Sequence, residues 1–199
     1  MPDVVAVLLA AGASRRLGQP KQLLAYRGRP LIQHAAATLL ASRCRPVLVV
    51  LGAEADRAGA ALADLPVELV HNPRWADGVG TSIAAGIAAA SARGAGGAVL
   101  SLVDQALVTS ATIDRLLAAR DATGRSIVAA RYADTVGVPA YFAAAAFAQL
   151  LALEPDQGCK RIILAAGDQA AHVRCPEAET DVDTLQDYQS LLERQSMPS

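Results

Sequence analysis

Aromatic side chains are scarce in this chain. Phe, Trp and Tyr make up 4% of it, against 53% hydrophobic residues overall. A core must therefore be built from Ala, Val, Leu and Ile, and 199 residues supply enough of them for one domain. Cysteine is equally thin. Cys44, Cys159 and Cys175 lie far apart and form no CxxC pair, which argues against a disulfide framework and against a structural zinc site. No apolar run approaches about 20 residues, so no membrane span is expected. Neither sign of charge dominates: 18 Lys and Arg stand against 19 Asp and Glu, a formal net charge of −1. With no long basic run either, nucleic acid is not an expected partner, and any phosphate binding must come from a local site. The first ten residues lack the basic start, long apolar stretch and cleavage site of a secretory signal. The expectation is a cytoplasmic protein.

What is present is an alternation of apolar runs with amphipathic, Ala-rich stretches. The run 4–10 is short, continuous and apolar, which predicts a strand buried on both faces. A polar loop follows over 11–28. Helices are expected at 30–42, with Pro30 near the first turn, and at 54–63, 81–92, 110–120, 143–153, 160–166 and 184–194. Strands are expected at 46–51, 67–70, 98–103, 127–131, 136–142 and 172–175. The stretch 71–80 is polar and turn-rich, and the tail 195–199 should fray. No repeat or linker divides the chain, so one domain is expected over 1–199, ordered from about 3 to 194. The alternation predicts an α/β fold, a mostly parallel Rossmann-like sheet with helices on both faces. Ligands of such sheets bind beyond the carboxyl ends of the strands.

The loop after the first strand reads Leu9-Ala10-Ala11-Gly12-Ala13-Ser14-Arg15-Arg16-Leu17-Gly18-Gln19-Pro20-Lys21. Its small residues let the backbone approach a ligand, and exposed N–H groups there can hold phosphate oxygens. Arg16 and Lys21 add the positive charge a polyphosphate needs. The loop is no P-loop, because Lys21 is not next to Gly18, and no GxGxxG is present. A plain tight turn would use the same small residues.

From Leu9 to Leu24 the chain resembles the signature of the MobA-like nucleotidyltransferases, Leu-Ala-Ala-Gly-x-Ser-x-Arg-x-Gly-x-x-Lys-x-Leu-Leu, and most of all their molybdenum cofactor cytidylyltransferase branch. Gly28-x-Pro30-Leu31-Ile32 also fits. In that family the loop wraps a triphosphate. The resemblance implies nucleotide contacts at Leu9, Ala10, Ala11, Gly12, Ser14, Arg16 and Lys21.

Further segments follow in the family's order. Asn72-Pro73-Arg74-Trp75, then Gly78-Val79-Gly80-Thr81-Ser82, resembles its second motif and implies Gly80 and Ser82 as nucleotide contacts; an ordinary helix cap and a packed Trp75 are the alternative. Asp104 ends the strand 98–103, where a hard cation would be held with phosphate oxygens. The family's metal aspartate occupies this place as Gly-Asp-x-Pro; here Val103 and Ala106 stand for that Gly and Pro. Glu154-Pro155-Asp156-Gln157-Gly158-Cys159-Lys160 resembles the segment near the acceptor, implying Asp156, Gly158, Lys160 and Arg161 there. Gly137-Val138-Pro139 through Phe142 matches a Gly-x-Pro-x-x-Phe element. Asp181-Val182-Asp183-Thr184 through Tyr188 matches the closing Asp-x-Asp-Thr, with Asp183 either a second metal ligand or a helix cap.

The resemblance implies a Mg²⁺-dependent transfer of a nucleoside monophosphate, with CTP the favoured donor, to a phosphorylated small-molecule acceptor, with pyrophosphate released. Lys21, Arg16 and Asp104 would carry the catalysis. Molybdopterin is the acceptor it suggests, with a molybdoenzyme or accessory protein as recipient. A sugar or polyol phosphate needs the same nucleotide half-site, and a non-enzymatic molybdenum cofactor chaperone remains an alternative.

Overall fold

The structure, a computed structural model, describes residues 3–196. The chain runs β1 (Val4–Leu9), β2 (Ala25–Tyr26), β3 (Arg29–Pro30), α1 (Leu31–Leu40), β4 (Val47–Leu51), α2 (Ala55–Ala60), β5 (Glu68–His71), α3 (Val79–Ala92) and β6 (Gly97–Leu102). It continues with α4 (Ser110–Thr123), β7 (Ile127–Tyr132), β8 (Thr135–Ala143), α5 (Phe147–Leu151), α6 (Lys160–Ala166), β9 (Ala170–Arg174) and α7 (Leu185–Ser196).

Seven strands form one sheet in the order β5-β4-β1-β6-β8-β7-β9. β1 pairs in parallel with both β4 and β6, and β8 runs antiparallel to β6 and β7. Every residue of β1 is buried, as a central parallel strand covered on both faces requires. Its alternate side chains feed two cores. Ala6 and Leu8 pack with Ile32, Ala36 and Leu39 of α1 and with Ile113 and Leu116 of α4. Val5 and Val7 pack on the other face with Ile83, Ile87 and Ala90 of α3. Gly86 lets α3 lie close on the sheet: a Cβ there would run into Val7 and come within 3.0 Å of Val50 Cγ2. That close approach offsets the roughly 1 kcal/mol that Gly costs a helix relative to Ala.

A third, smaller core positions the site. Leu17, Leu24, Tyr26, Leu31, Ala106, Val182 and Leu191 pack together, so hydrophobic burial joins the first loop, the segment after β6 and the chain around α7. Tyr188 adds a hydrogen bond from its Oη to the Ala25 carbonyl at 2.6 Å.

The mostly parallel α/β sheet agrees with the expectation, and three local features differ. The hairpin of β2 and β3 was not anticipated; Arg27 and Gly28 turn it with φ of 50° and 77°, the left-handed pair a two-residue turn favours. The helix expected over 143–153 is shorter. The Ala143 N–H bonds Ser126 O at 2.8 Å and the Ala144 N–H bonds Gly96 O at 3.0 Å, so sheet pairing delays α5 to Phe147. At the end of the chain α7 runs on to Ser196, and the rest of the fraying expected over 195–199 lies outside the described residues.

Candidate active site

Beyond the carboxyl end of β1 the backbone stays pinned for two more residues. The Ala10 N–H bonds Val50 O at 3.0 Å, and Ala11 O accepts the Ala53 N–H at 2.9 Å. The chain therefore leaves the sheet between β4 and β6, where a parallel sheet opens a ligand crevice. A cleft of about 210 Å³ lies there. Leu9 to Gly12 form one side, Trp75, Gly78 and Ser82 another, and Lys21 and Asp104 also line it.

Gln22, 1% exposed, props up this loop. Its Nε2 donates to the carbonyls of Gly12 at 3.4 Å and Ala53 at 3.3 Å. Trp75 packs over Gly52. A Cβ on Gly52 would run into the Trp75 side chain and lie 2.8 Å from the Ala11 carbonyl oxygen, so a bare backbone at 52 is what lets the indole close the cleft. Neither Gln22 nor Gly52 was among the expected site residues, because each acts on residues distant in sequence. Ser14 takes a positive φ of 53°, and its Oγ accepts the Lys21 backbone N–H at 3.0 Å. It thereby folds the loop back so that Lys21 returns to β1.

Four charged side chains meet beside the cleft, and two of them, Lys21 and Asp104, line it. Lys21 Nζ lies 2.5 Å from Asp104 Oδ2 and 2.8 Å from Asp183 Oδ1, and Arg16 Nη2 lies 2.7 Å from Asp183 Oδ2. The Lys21 and Asp104 side chains are 15% and 12% exposed, while Arg16 is 73% exposed. Burial by itself lowers the Lys21 pKa, but the Asp104 and Asp183 charges and hydrogen bonds outweigh it and raise it. The hydrogen bond from Lys21 holds Asp183 below the usual carboxylate range, with Arg16 adding to it. Asp181, which was not among the expected site residues, stands beside them. It is exposed as a residue, yet loss of water around its carboxyl, next to the Asp104 and Asp183 charges, pushes its pKa up to about 6.

The backbone fixes this cluster. Val182 N–H donates to Asp104 O at 3.2 Å. Gln105, 4% exposed, donates from Nε2 to Val138 O at 3.1 Å and Ala178 O at 2.9 Å. Val103 and Ala106, which replace the Gly and Pro of the related motif, are each buried to 5% exposure and fill two of the cores. Asp104 Oδ1 is buried without a hydrogen-bond partner.

Other expected residues lie elsewhere. Gly80 sits under the 154–157 backbone: its N–H bonds Pro155 O at 2.9 Å, and a Cβ would strike Glu154 O. Asp156, Lys160 and Arg161 are exposed and Gly158 is half-buried; none of the four lines the cleft. Arg161 donates to Gln157 Oε1 at 3.0 Å, and Lys160 lines a separate groove of about 490 Å³ with Arg131 and Asp134. Burial pushes the Cys159 thiol up to about 12, which disfavours the thiolate that a nucleophile needs. A hollow of about 520 Å³ at the opposite edge of the sheet contains Arg125 but no acidic or histidine side chain, so it offers nothing for acid–base or metal chemistry. Among the described residues no three His, Cys, Asp or Glu side chains form a metal cage, and no helix is long and apolar enough to cross a membrane.

Comparison with known proteins bears out the fold. The chain is 30% identical to the purine catabolism protein PucB of Bacillus subtilis (strain 168), over 94% of this chain and 95% of that one. It is 46% identical to nicotine blue oxidoreductase of Paenarthrobacter nicotinovorans, but over 59% of this chain and 57% of that protein, so the match spans little more than half of the relative. The crystal structure of Rv0371c from Mycobacterium tuberculosis H37Rv superposes with a TM-score of 0.82 at 31% identity, covering 96% of this chain and 98% of that one. The same protein has also been solved in complex with manganese. A model of the MobA-like NTP transferase domain matches residues 6–172, and the chain belongs to that family of nucleotidyltransferases.

Proposed function

We propose that the chain transfers the nucleoside monophosphate of an NTP, with CTP preferred, to a phosphorylated small acceptor of the molybdopterin type and releases pyrophosphate. The observation that carries this reading is the convergence of Lys21, Asp104 and Asp183 beside a cleft walled by the Leu9–Gly12 backbone. An oxygen of the acceptor phosphate attacks the α-phosphorus in line. A new P–O bond forms as the bond from the α-phosphorus to the bridging oxygen breaks, and pyrophosphate leaves with that electron pair. An ionised phosphate is already nucleophilic, so no general base is required. Catalysis then reduces to positioning two anions and neutralising charge. Lys21 and Arg16 supply cations to the phosphates, and the loop backbone and Ser82 hold the nucleoside.

The residues fit a Mg²⁺ ion. The ion usually takes one or two carboxylates together with waters and substrate phosphates, and Asp104, with its unpartnered buried Oδ1, and Asp183 would hold it. When bound there, it would supply positive charge to the phosphates as charge shifts toward the leaving group. The manganese complex of Rv0371c supports a divalent ion in this fold. For the donor, the Ala11 methyl narrows the loop side of a small cleft and disfavours a purine, an effect worth about 1–3 kcal/mol.

The test is a pyrophosphate-release screen of the four NTPs with Mg²⁺ against phosphorylated acceptors, with the nucleotide in the product identified. CMP transfer to a molybdopterin-type acceptor is expected. A product carrying mainly GMP or AMP would overturn the donor, and a sugar or polyol phosphate product the acceptor. No pyrophosphate with any pair would overturn the enzyme reading and leave a carrier of a nucleotide cofactor.

A further inference from the structure

Asn72 is 3% exposed and lies between β5 and α3. Its Oδ1 accepts the Arg74 backbone N–H at 3.0 Å. A backbone N–H can only donate, so this contact fixes which way round the amide sits. Nδ2 then faces α3 and spends both protons there, on Thr81 Oγ1 at 2.9 Å and on Ser82 Oγ at 3.0 Å. Thr81 passes its own hydroxyl proton to the Gly78 carbonyl at 2.8 Å or the Arg74 carbonyl at 2.9 Å. Ser82 has no such outlet: among the described residues its hydroxyl proton has no acceptor, although the residue is 5% exposed and lines the cleft near Ala11 and Gly12.

We infer that Asn72 is a positioning residue that sets the polarity of Ser82, so that the cleft selects a nucleobase presenting an acceptor atom, not an N–H, to that wall. The inference rests on the nucleotide reading above. Because Asn72 holds one lone pair of the Ser82 oxygen, the hydroxyl proton turns to the cleft. A ligand that offers only N–H groups there leaves a buried donor unpaired, and unpaired buried donors are where discrimination by polar groups arises. Cytosine carries O2 and N3 as adjacent acceptors. At the two matching positions guanine carries the N1–H and 2-amino donors, and its one acceptor on that edge, O6, lies where cytosine has its amino group. The contact therefore favours cytosine over guanine through hydrogen-bond polarity as well as size.

The experiment is calorimetric titration of CTP, GTP and inorganic tripolyphosphate into the parent, Asn72→Asp, Ser82→Ala and the double variant. Asn72→Asp still accepts from Arg74, but its second oxygen now takes the Ser82 proton. CTP affinity should fall about tenfold or more in each single variant, as for a lost buried hydrogen bond. Tripolyphosphate affinity should stay unchanged in Ser82→Ala and fall less than CTP affinity in Asn72→Asp, whose added charge also repels phosphate, and the double variant should lose no more CTP affinity than Asn72→Asp alone. Should Asn72→Asp not fold, Asn72→Ala replaces it, with the ratio of CTP to GTP affinity as the readout. Unchanged CTP affinity, additive losses, or an equal loss of tripolyphosphate would overturn the inference, the last by showing that Asn72 merely supports α3. A parent protein that binds none of the three ligands would overturn the nucleotide reading itself.

Discussion

Lys21 Nζ lies 2.5 Å from Asp104 Oδ2 although 83 positions separate the two residues. The contact puts a lysine from the loop after β1 against a carboxylate from the end of β6, and both side chains are mostly withdrawn from water. An ion pair so placed acts on whatever else carries charge in the cleft, because screening there is weak.

Asp104→Asn tests the carboxylate with little change of shape. Turnover should drop by on the order of 10²-fold or more at saturating Mg²⁺, the usual cost of losing a main charge-stabilising group. Circular dichroism should show the parent fold, since Lys21 keeps its 2.8 Å contact with Asp183. Turnover within about twofold of the parent would remove Asp104 from the mechanism.

Lys21→Ala tests the cation. The ammonium would meet phosphate charge in the ground state and in the transition state, so KM should rise and kcat fall together. Steady-state kinetics with NTP varied will show it. Unchanged values of both would make Lys21 only a partner of the two carboxylates.

Gly52→Ala tests the closing of the cleft by Trp75. The added methyl collides with the indole and approaches the Ala11 carbonyl oxygen to 2.8 Å. Overpacking of this kind costs about 1–3 kcal/mol. A lower melting temperature with weaker nucleotide binding is expected; tight binding with a parent-like melting curve would show that the loop gives way freely.

His34 predicts a pH effect on stability. Its pKa is lowered by burial first and by the Arg29 and Arg27 charges next, against a hydrogen bond to Ala106 O that raises it. The unfolded chain therefore takes up a proton near the ordinary value of 6.5, while the folded chain resists until a lower pH. The stabilisation is present above about 6.5 and lost as the pH falls through the folded value. Melting curves from about pH 7.5 to 5 should lose more for the parent than for His34→Gln. Parallel losses would rule His34 out as the source.

The first loop was legible in the sequence because its chemistry is local: small residues from Ala10 to Gly12 and two cations within one turn of chain. Asp104 was legible as a carboxylate at a strand's end. Gln22, Gly52 and Gln105 were not, since each matters through a contact to a backbone carbonyl or an indole far along the chain. The segment 156–161 resembles a site motif, but Asp156, Gly158, Lys160 and Arg161 do not line the cleft, and Lys160 lines a separate groove. The direction of β8 was readable and not read. Only Ala133 and Asp134 separate β7 from β8, too few for a parallel crossover and enough for a hairpin.

The small core of Leu17, Leu24, Ala106, Val182 and Leu191 makes the charge cluster depend on chain that follows the last strand of the sheet. A growing polypeptide that has emerged through β9 already owns every strand of the sheet. It still lacks Asp183, and nothing yet bonds the Asp104 carbonyl from Val182. The strands and the charge cluster thus come from different stretches of chain: a cut after β9 would keep every strand of the sheet and remove one of the two carboxylates that meet Lys21.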